Sequence, residues 1–328
     1  MVRGPLTTAT FFSPVQESLR LVERRMRAQS DGHHPDLAAA LKHLLSSGGK
    51  RVRPAVALLT GGMLGAGRDR LVTLSAAIEL LHTATLVHDD LIDGALLRRG
   101  IPTLNARWTP ASTVLAGDFI FARAAKLASE TDSVEVMRLF AETLSTIVNG
   151  EITQMFSSQE ITCRDDYYER IYAKTASMFV LATTAAAVLS PVDEDVIEAL
   201  RTFGYEIGMA FQVVDDVLDF TGEQATVGKP VASDLRQGLI TLPTIIYMES
   251  HPDDPDVGYL KDGSYYNETR LNRLIPAIRE SGAIEEALYA ARQFVDRGLE
   301  ALAELALPLT AERQALEDLA SYIVSRHR

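Results

Sequence analysis

Apolar residues recur every three or four positions along almost the whole chain, and no other feature of the sequence limits the fold as strongly. Two such series run from Leu71 to Leu81 and from Ile284 to Leu302. This spacing places apolar side chains on one face of a helix, whereas the alternation of a half-buried strand is nearly absent. Turn residues such as Gly61-Gly62 and Pro252-Asp253-Asp254-Pro255 separate the segments. We therefore predict an all-α bundle of about ten or more helices.

The predicted helices lie at approximately 14–30, 35–46, 53–64, 69–97, 110–130, 132–159, 164–190, 193–220, 233–250 and, in pieces, 267–326. The acidic stretch from Pro252 to Asn267 is predicted to be a surface loop. Because neither a low-complexity linker nor a fixed-period repeat divides the 328 residues, we predict one all-α domain over residues 1–328. The uncharged run from Thr175 to Val192 includes Thr, Ser and Pro, and we predict a buried helix there in place of a membrane span.

Composition narrows the classes of function. A formal net charge of −12 at pH 7 is unfavourable for binding nucleic acid or an anionic membrane surface. Cys163 is the single cysteine, so an internal disulfide and a cysteine-based zinc site are excluded. The N-terminus lacks the succession of basic, apolar and small residues typical of a signal peptide. We expect a cytoplasmic protein that is not an integral membrane protein.

Two clusters of aspartates with the same spacing follow apolar runs, in the stretches TATLVHDDLID and FQVVDDVLDF. Their members are Asp89, Asp90, Asp93, Asp215, Asp216 and Asp219. Carboxylates three and four residues apart on a helix repel one another. One cluster alone would be typical of a solvated helix end. Its repetition in the same apolar setting favours two helices that face each other across a cavity and hold magnesium, which prefers oxygen ligands and is often shared with substrate phosphates.

Clustered basic residues indicate a ligand that carries phosphate. They occur in Gly48-Gly49-Lys50-Arg51-Val52-Arg53-Pro54 and again at Arg98-Arg99. Either group alone is compatible with ordinary surface residues. Beside two acidic clusters, both predict contacts with phosphate groups.

These residues, in this order, resemble the trans-prenyltransferases, the isoprenyl diphosphate synthases that extend allylic diphosphates with isopentenyl diphosphate. The resemblance runs from about Leu37 to Pro243 and more loosely to the C-terminus. It is carried by the two DDxxD motifs, GGKRVRP, the LRRG after the first motif, Lys174-Thr175 and Phe211-Gln212. It implies the isoprenoid synthase fold around a central cavity and a polyprenyl synthetase of the medium- or long-chain kind.

The resemblance also implies roles for individual residues. The six aspartates would coordinate Mg²⁺, three ions in the family's pattern, with the allylic diphosphate. Isopentenyl diphosphate would be held by Lys50, Arg53, His82 and Arg99. The allylic diphosphate would be contacted by Arg98, Lys174 and Lys229. The reacting carbons would lie beside Thr175 and Gln212, in a cavity also lined by Gln154. Family members are usually homodimers, and we expect one here.

One position departs from the family's pattern. Members commonly carry a lysine in the segment D-L-x-x-G-K-x-T-x-P, whereas Asp234 to Pro243 reads DLRQGLITLP and places Leu239 at that position. One diphosphate contact is therefore in question. We interpret Leu239 as a feature of long-chain members and not as a sign that activity has been lost.

Small residues near the first aspartates bear on the length of the product. Thr85 lies one helical turn before Asp89, with Ala84 beside it, whereas short-chain members resembling this protein carry an aromatic residue in this region. We therefore expect an open tunnel and a product longer than the geranylgeranyl chain, with Leu81 as a deeper partial floor. The alternative is that Ala84 and Thr85 only let two helices approach closely.

Three other interpretations stay open at this point. The first is a geranylgeranyl or farnesyl diphosphate synthase of the same family. The second is an enzyme like the terpene cyclases, against which the basic set Lys50, Arg53 and Arg99 argues because a cyclase needs no second diphosphate site. The third is a non-catalytic regulatory subunit, against which the six intact aspartates argue.

Overall fold

The computed structural model describes residues 11–31, 34–46, 49–98, 100–156, 163–222, 231–261 and 267–326. Almost every element in these ranges is a helix, and the predicted all-α class is confirmed. The α-helices, in chain order, are α1 (Gln16–Arg27), α2 (Pro35–Ser46), α3 (Val52–Met63), α4 (Arg68–Ile92), α5 (Pro110–Ser129), α6 (Val134–Phe156), α7 (Arg164–Ile171), α8 (Ser177–Val188), α9 (Glu194–Thr221), α10 (Ser233–Arg236), α11 (Leu242–Ser250), α12 (Pro255–Lys261), α13 (Glu268–Glu280), α14 (Ala283–Ala303) and α15 (Ala311–Ser325).

Shorter elements complete this part of the chain. Single 3₁₀ turns lie at Ser13–Val15 and Ala28–Ser30, and a π-helical turn lies at Tyr172–Ala176. Strand β1 (Leu97–Arg98) pairs antiparallel with β2 (Ile101–Pro102). This small hairpin occupies the position where the sequence predicts the end of a helix and a turn.

Helix α4 is a core helix that ends at the first aspartate cluster. Every residue from Leu71 to Leu81 is buried, so the helix is covered on all sides along this stretch. It ends in a Schellman motif, in which the N–H of Ala95 bonds to the oxygen of Asp90 at 2.8 Å and the N–H of Gly94 bonds to that of Leu91 at 3.2 Å. Gly94 has a φ of +63°, which glycine adopts without strain.

The described helices divide into two compact units. Unit 1 comprises Met1–Thr143, Met178–Gly204 and Leu305–Leu319, and unit 2 comprises Leu144–Ser177, Tyr205–Glu304 and Ala320–Arg328. In unit 1, α4 packs against α1, α3 and α5; in unit 2, α11 packs against α13 and α14. The first aspartate cluster belongs to unit 1 and the second to unit 2. The single domain over residues 1–328 stays a prediction.

Three predicted segments differ from the structure. The helix predicted over 69–97 ends at Ile92, and Leu97 lies in strand β1. The helix predicted over 233–250 is broken between α10 and α11, because Gly238 takes a φ of +83° and Pro243 fits only the first turn of a new helix. The predicted loop from Pro252 to Asn267 contains helix α12. Asp254 stabilises its start by accepting from the N–H of Asp256 at 2.8 Å and from the hydroxyl of Tyr247 at 2.6 Å.

Two helical stretches, Arg68–Ile92 and Arg164–Val188, are long and apolar enough to cross a membrane. In the most apolar window of each, 72% and 83% of the residues are buried inside the protein, as in core helices. The burial predicted for the run that begins at Thr175 is confirmed, since Thr175 to Ala187 is buried apart from the half-buried Val180.

Candidate functional site

The first aspartate cluster lies at the C-terminal end of α4. Asp89 and Asp90 are in the last turn, and Asp93 is the C-cap. The negative end of the helix dipole disfavours three carboxylates at this place, so a cation bound there would relieve their repulsion. Asp90 is 6% exposed, and its Oδ1 accepts a hydrogen bond from Nε of Arg98 at 2.8 Å. The structure thus places a predicted metal ligand beside a predicted diphosphate contact.

A histidine that the sequence analysis did not single out packs this helix end against α5. Nε2 of His88 lies 3.3 Å from the carbonyl oxygen of Val114 and 3.5 Å from Oδ1 of Asp118. A Cβ atom at Gly117 would come within 2.1 Å of the same nitrogen, so the glycine allows this approach. The packing of His88 fixes the turn that carries Asp89.

Two of the residues predicted to hold isopentenyl diphosphate are neighbours in unit 1. Nη1 of Arg53 lies 3.3 Å from Nε2 of His82. The guanidinium of Arg53 lies 5.3 Å from the centre of the ring of Phe179, which is fully buried and supports the cation. Lys50 is exposed. Arg99 lies outside the described residues.

Arg51, between Lys50 and Arg53, has a structural role. It adopts a left-handed conformation with a φ of +49° at the start of α3. Its Nη1 lies 2.6 Å from Oε1 of Glu79, and the two side chains are only 14% and 7% exposed. Nη2 also donates to the carbonyl oxygen of Leu45 at 3.2 Å. This buried ion pair ties the basic segment to α4 and fixes where the residues on either side emerge.

The residues predicted to control product length all lie on α4. Leu81 and Ala84 are fully buried, and Thr85 is half-buried. The hydroxyl of Thr85 donates to the carbonyl oxygen of His82 at 2.9 Å, so its polar group is satisfied within the helix. Their role in length control stays a prediction.

The second aspartate cluster lies near the C-terminal end of α9, and its members have different surroundings. The side chain of Asp215 is 40% exposed, and its Oδ1 lies 2.7 Å from Nη2 of Arg326. Asp219 accepts from the backbone N–H groups of Ser233 and Asp234, at 3.1 Å each, and from the hydroxyl of Ser233 at 2.8 Å. Asp219 therefore orders the start of α10.

Asp216 is the buried member of the second cluster, with 3% of its surface exposed. Nε2 of Gln212 donates to its Oδ1 at 2.7 Å, and the hydroxyl of Tyr167 donates to its Oδ2 at 2.8 Å. Burial raises the pKa of the Asp216 carboxyl to about 7, although both hydrogen bonds act in the opposite direction. Tyr167 was not identified from the sequence, where nothing links it to the second motif.

We expect Asp216→Asn to stabilise the metal-free protein at pH 8 but not at pH 4. Because the pKa of Asp216 is about 7 in the folded protein and 3.8 in its ordinary state, the unfolded chain loses this proton first. The buried carboxyl therefore costs stability progressively as the pH rises between those values. The uncharged amide removes this cost, so we expect a gain on the order of 1–3 kcal/mol at pH 8. Unfolding by denaturant with a chelator present measures it, and an equal gain at pH 4 would contradict the assignment.

A π-helical turn between α7 and α8 carries Lys174 and Thr175. The N–H of Ser177 bonds to the oxygen of Tyr172, five residues back, and such turns are frequent at functional sites. Nζ of Lys174 donates to Oε1 of Glu151 on α6 at 2.8 Å. Oγ1 of Thr175 donates to Oε1 of Gln212 at 2.6 Å, so two residues predicted to act on the reacting carbons are hydrogen-bonded to each other.

Helix α6 approaches the π-helical turn at Gly150, where a Cβ atom would lie 2.5 Å from Cβ of Ala173. Glu151 was missed from the sequence, although it directly follows this glycine. Gln154 lies one turn further along α6 and is half-buried.

Lys229 lies outside the described residues. Leu239 is half-buried, and its N–H bonds to the carbonyl oxygen of Asp234 at 2.9 Å.

The donor chemistry of both clusters fits a hard divalent cation. Within the described ranges, no three His, Cys, Asp or Glu side chains already come together as a metal-binding group. Magnesium, however, is typically held by one or two carboxylates together with water and substrate phosphates. Each cluster, taken by itself, therefore fits a cation that is shared with a phosphate-bearing ligand.

Comparisons with known proteins agree with this chemistry. A family model described as polyprenyl synthetase matches residues 34–261. A prenyl transferase of Synechocystis sp. is 35% identical over 328 residues, which cover 98% of this chain and 99% of that protein. The all-trans-nonaprenyl-diphosphate synthase (geranyl-diphosphate specific) of Rhodobacter capsulatus is 38% identical, over 87% of each chain. A polyprenyl synthase from Caulobacter crescentus, solved with calcium and isoprenyl diphosphate, is similar with a TM-score of 0.91 and 34% identity, over 99% of this chain and all of that one.

Proposed function

The chain belongs to the polyprenyl synthetase family and is a prenyltransferase, and from this we propose that it condenses isopentenyl diphosphate with an allylic diphosphate. We propose a medium- or long-chain all-trans polyprenyl diphosphate as the product. Relatives named as solanesyl, heptaprenyl and nonaprenyl diphosphate synthases support this chain length.

One observation carries the proposal. The carboxylates of both clusters stand near the negative ends of α4 and α9, where the helix dipole opposes them. Cationic side chains accompany them, Arg98 beside Asp90 and Arg326 beside Asp215. A protein maintains such a costly arrangement where a cation and an anionic ligand bind together.

We propose that Asp89, Asp90, Asp93, Asp215 and Asp219 hold Mg²⁺. Bound with the allylic diphosphate, the metal would act as a Lewis acid on the leaving group. Arg98 and Lys174 neutralise the same diphosphate by direct contact, and Lys229 is proposed to do so as well. Arg53, His82, Lys50 and Arg99 hold the diphosphate of the second substrate, so that its alkene is oriented for attack.

The reaction generates positive charge on the allylic carbon as the diphosphate leaves. Oγ1 of Thr175 uses its proton in the bond to Gln212, which leaves the lone pairs of the hydroxyl oxygen for this charge. Isopentenyl diphosphate then attacks through its alkene, and a proton is lost to the released pyrophosphate. Apolar side chains around the prenyl tail exclude water, which would otherwise capture the cation.

Incubation of the purified chain with Mg²⁺, isopentenyl diphosphate and an allylic starter tests the proposal. We expect incorporation of several isopentenyl units by the protein alone. No incorporation would indicate a regulatory subunit, and a product released without isopentenyl units would indicate an enzyme like the cyclases. A product that stops at the geranylgeranyl length would move the chain to the short-chain interpretation, since geranylgeranyl synthases are also among the similar structures.

We also propose that the chain forms a homodimer through α6. Val148, Ile152 and Met155 are 44%, 47% and 55% exposed and recur on one face of the helix. From Leu144 to Phe156 the sequence has one charged residue, Glu151, which is paired with Lys174. A charge-free apolar face is self-complementary about a twofold axis, so a second copy is the proposed occupant.

Replacing Ile152 by Glu is expected to convert the dimer to a monomer, because two copies would bring the introduced charges together in an apolar interface. Light scattering after size-exclusion chromatography measures the mass. The matched control is Leu309→Glu, which puts the same charge on another exposed apolar residue, 74% exposed, and should leave the mass unchanged. A wild-type monomer would contradict the proposal, and the question of a different protein partner would then replace it.

A further inference from the structure

Both oxygens of Asp216 are engaged by neutral donors inside unit 2. Gln212 donates to Oδ1 at 2.7 Å and Tyr167 to Oδ2 at 2.8 Å, and the carboxylate is 3% exposed. Asp215, its neighbour in the sequence, has a side chain that is 40% exposed. A magnesium ion keeps several waters, so its ligand needs open space in front of the oxygen. Asp216 combines burial with a neutral hydrogen bond on each oxygen and does not offer this space. Asp215 offers it, and Asp219, which also accepts on both oxygens, is only half-buried.

The hydrogen bonds around Asp216 form one directed chain. The hydroxyl of Thr175 donates to Oε1 of Gln212 at 2.6 Å, and Nε2 of the same amide donates to Asp216. The hydroxyl of Tyr167 completes the chain on the other carboxylate oxygen. Thr175 and Asp216 are 6% and 3% exposed, and Tyr167 is fully buried.

We propose that Asp216 is a positioning residue and not a metal ligand, and that Tyr167 acts through it to orient Gln212 and Thr175. The proposal rests on the proposed function, because Thr175 and Gln212 are taken to face the reacting carbons. It separates Asp216 in role from Asp215, although the two carboxylates are adjacent in one motif.

The charge of Asp216 sets the orientation of the Gln212 amide. An amide has nearly the same shape when its oxygen and nitrogen are exchanged, so packing alone does not select one orientation. When ionised, the carboxyl group of Asp216 accepts and does not donate, so it requires the NH₂ group of Gln212 on its side. Oε1 of Gln212 is thereby turned toward Thr175 and takes the proton of its hydroxyl. With the amide reversed, Thr175 would have to accept from nitrogen, and one of its two lone pairs would no longer be available to positive charge.

Tyr167 fixes the plane of the carboxylate. Its ring is fully buried on α7, edge-on to Tyr168 at 5.4 Å between ring centres, and the guanidinium of Arg170 lies 5.6 Å from its centre. A ring held in this way offers its hydroxyl in one direction. The position of Oδ2, and with it the direction of Oδ1 toward Gln212, follows from that contact.

Substitutions at Asp216 and Asp215 separate a positioning residue from a ligand. Asp216→Asn keeps the shape and an acceptor for Gln212, so we expect it to lose at most about tenfold in kcat, whereas Asp216→Ala should lose about 10- to 100-fold more. The half-saturating Mg²⁺ concentration should stay at the wild-type value in both. Asp215→Asn should instead raise that concentration by about 10-fold or more.

A binding measurement that needs no turnover accompanies the kinetics. Mg²⁺ with inorganic pyrophosphate should raise the midpoint of thermal unfolding equally in wild type and Asp216→Asn, and less in Asp215→Asn. Loss of this rise in Asp216→Asn to the extent seen in Asp215→Asn would show that Asp216 is a ligand and overturn the proposal. Failure of the proposed function would appear differently, as no isopentenyl incorporation by the wild-type protein.

The two adjacent tyrosines provide a matched pair. Tyr167→Phe should lower kcat by about tenfold while the KM of each substrate stays unchanged. The hydroxyl of Tyr168 does not make the bond to Asp216 that Tyr167 makes, so Tyr168→Phe should behave as wild type. In the Asp216→Ala background, Tyr167→Phe should have no further effect, since both changes break the same chain. Full activity of Tyr167→Phe, or an equal loss in Tyr168→Phe, would overturn the role of Tyr167.

Discussion

Replacing Asp89 by Asn is expected to lower the rate of isopentenyl incorporation by about 10²- to 10³-fold. Asp89 lies in the last turn of α4, at the negative end of the helix dipole, and its carboxylate is proposed to hold Mg²⁺ against the allylic diphosphate. The amide keeps the size of the side chain and removes its charge. The loss should therefore appear in the rate and in the concentration of Mg²⁺ required.

The same change at the other end of α4 is the control. Asp69 lies in the first turn, its side chain is 86% exposed, and its Oδ1 lies 2.9 Å from Nη2 of Arg25. Because exposed ion pairs contribute little, Asp69→Asn should keep its activity within about twofold of wild type. Steady-state rates over a range of Mg²⁺ concentrations distinguish the two variants. Full activity of Asp89→Asn would remove the first cluster from the proposed metal site.

Much of the fold follows from local pattern. Helices such as α3, α5 and α9 lie within a few residues of their predicted bounds, because their apolar spacing continues over several turns and is ended by Gly, Pro or Asp. The break between α10 and α11 was missed because a single residue, Gly238, interrupts an otherwise helical pattern. The sequence contains the glycine but not the positive φ that makes it a break.

The functional residues show a different limit. The aspartate clusters and the basic clusters at 48–54 and Arg98-Arg99 were predicted from residue type and spacing, which are local properties of the sequence. The π-helical turn was not predicted, because Lys174 and Thr175 lie in a segment whose pattern is that of an ordinary helix. Tyr167 and Arg326 reach the second cluster through contacts between distant segments. Arg326 also donates to the carbonyl oxygen of Phe211 at 2.7 Å. Such pairs depend on tertiary packing, and nothing in the residues around either partner indicates them.

Ala84→Tyr is expected to shorten the product to the geranylgeranyl length or below. Ala84 is fully buried on α4, five residues before Asp89 and therefore deeper along the helix than the proposed metal site. If the prenyl tail extends along this face, the tyrosine ring occupies the path of the tail and stops elongation. Chromatography of the dephosphorylated products measures their length. Leu81→Ala, one turn deeper, should lengthen the product or leave it unchanged.

The stability of Ala84→Tyr separates a tunnel from simple helix packing. A tyrosine forced between two packed helices typically costs about 1–3 kcal/mol or more, whereas a ring that enters a tunnel displaces only the substrate tail. A variant that makes shorter products with a nearly unchanged midpoint of thermal unfolding therefore supports the tunnel. The control is Ala84→Ser, whose small side chain should leave the product at the wild-type length. A destabilised variant that makes products of wild-type length would show that Ala84 serves the approach of neighbouring helices, and product length would then have to be set elsewhere along α4.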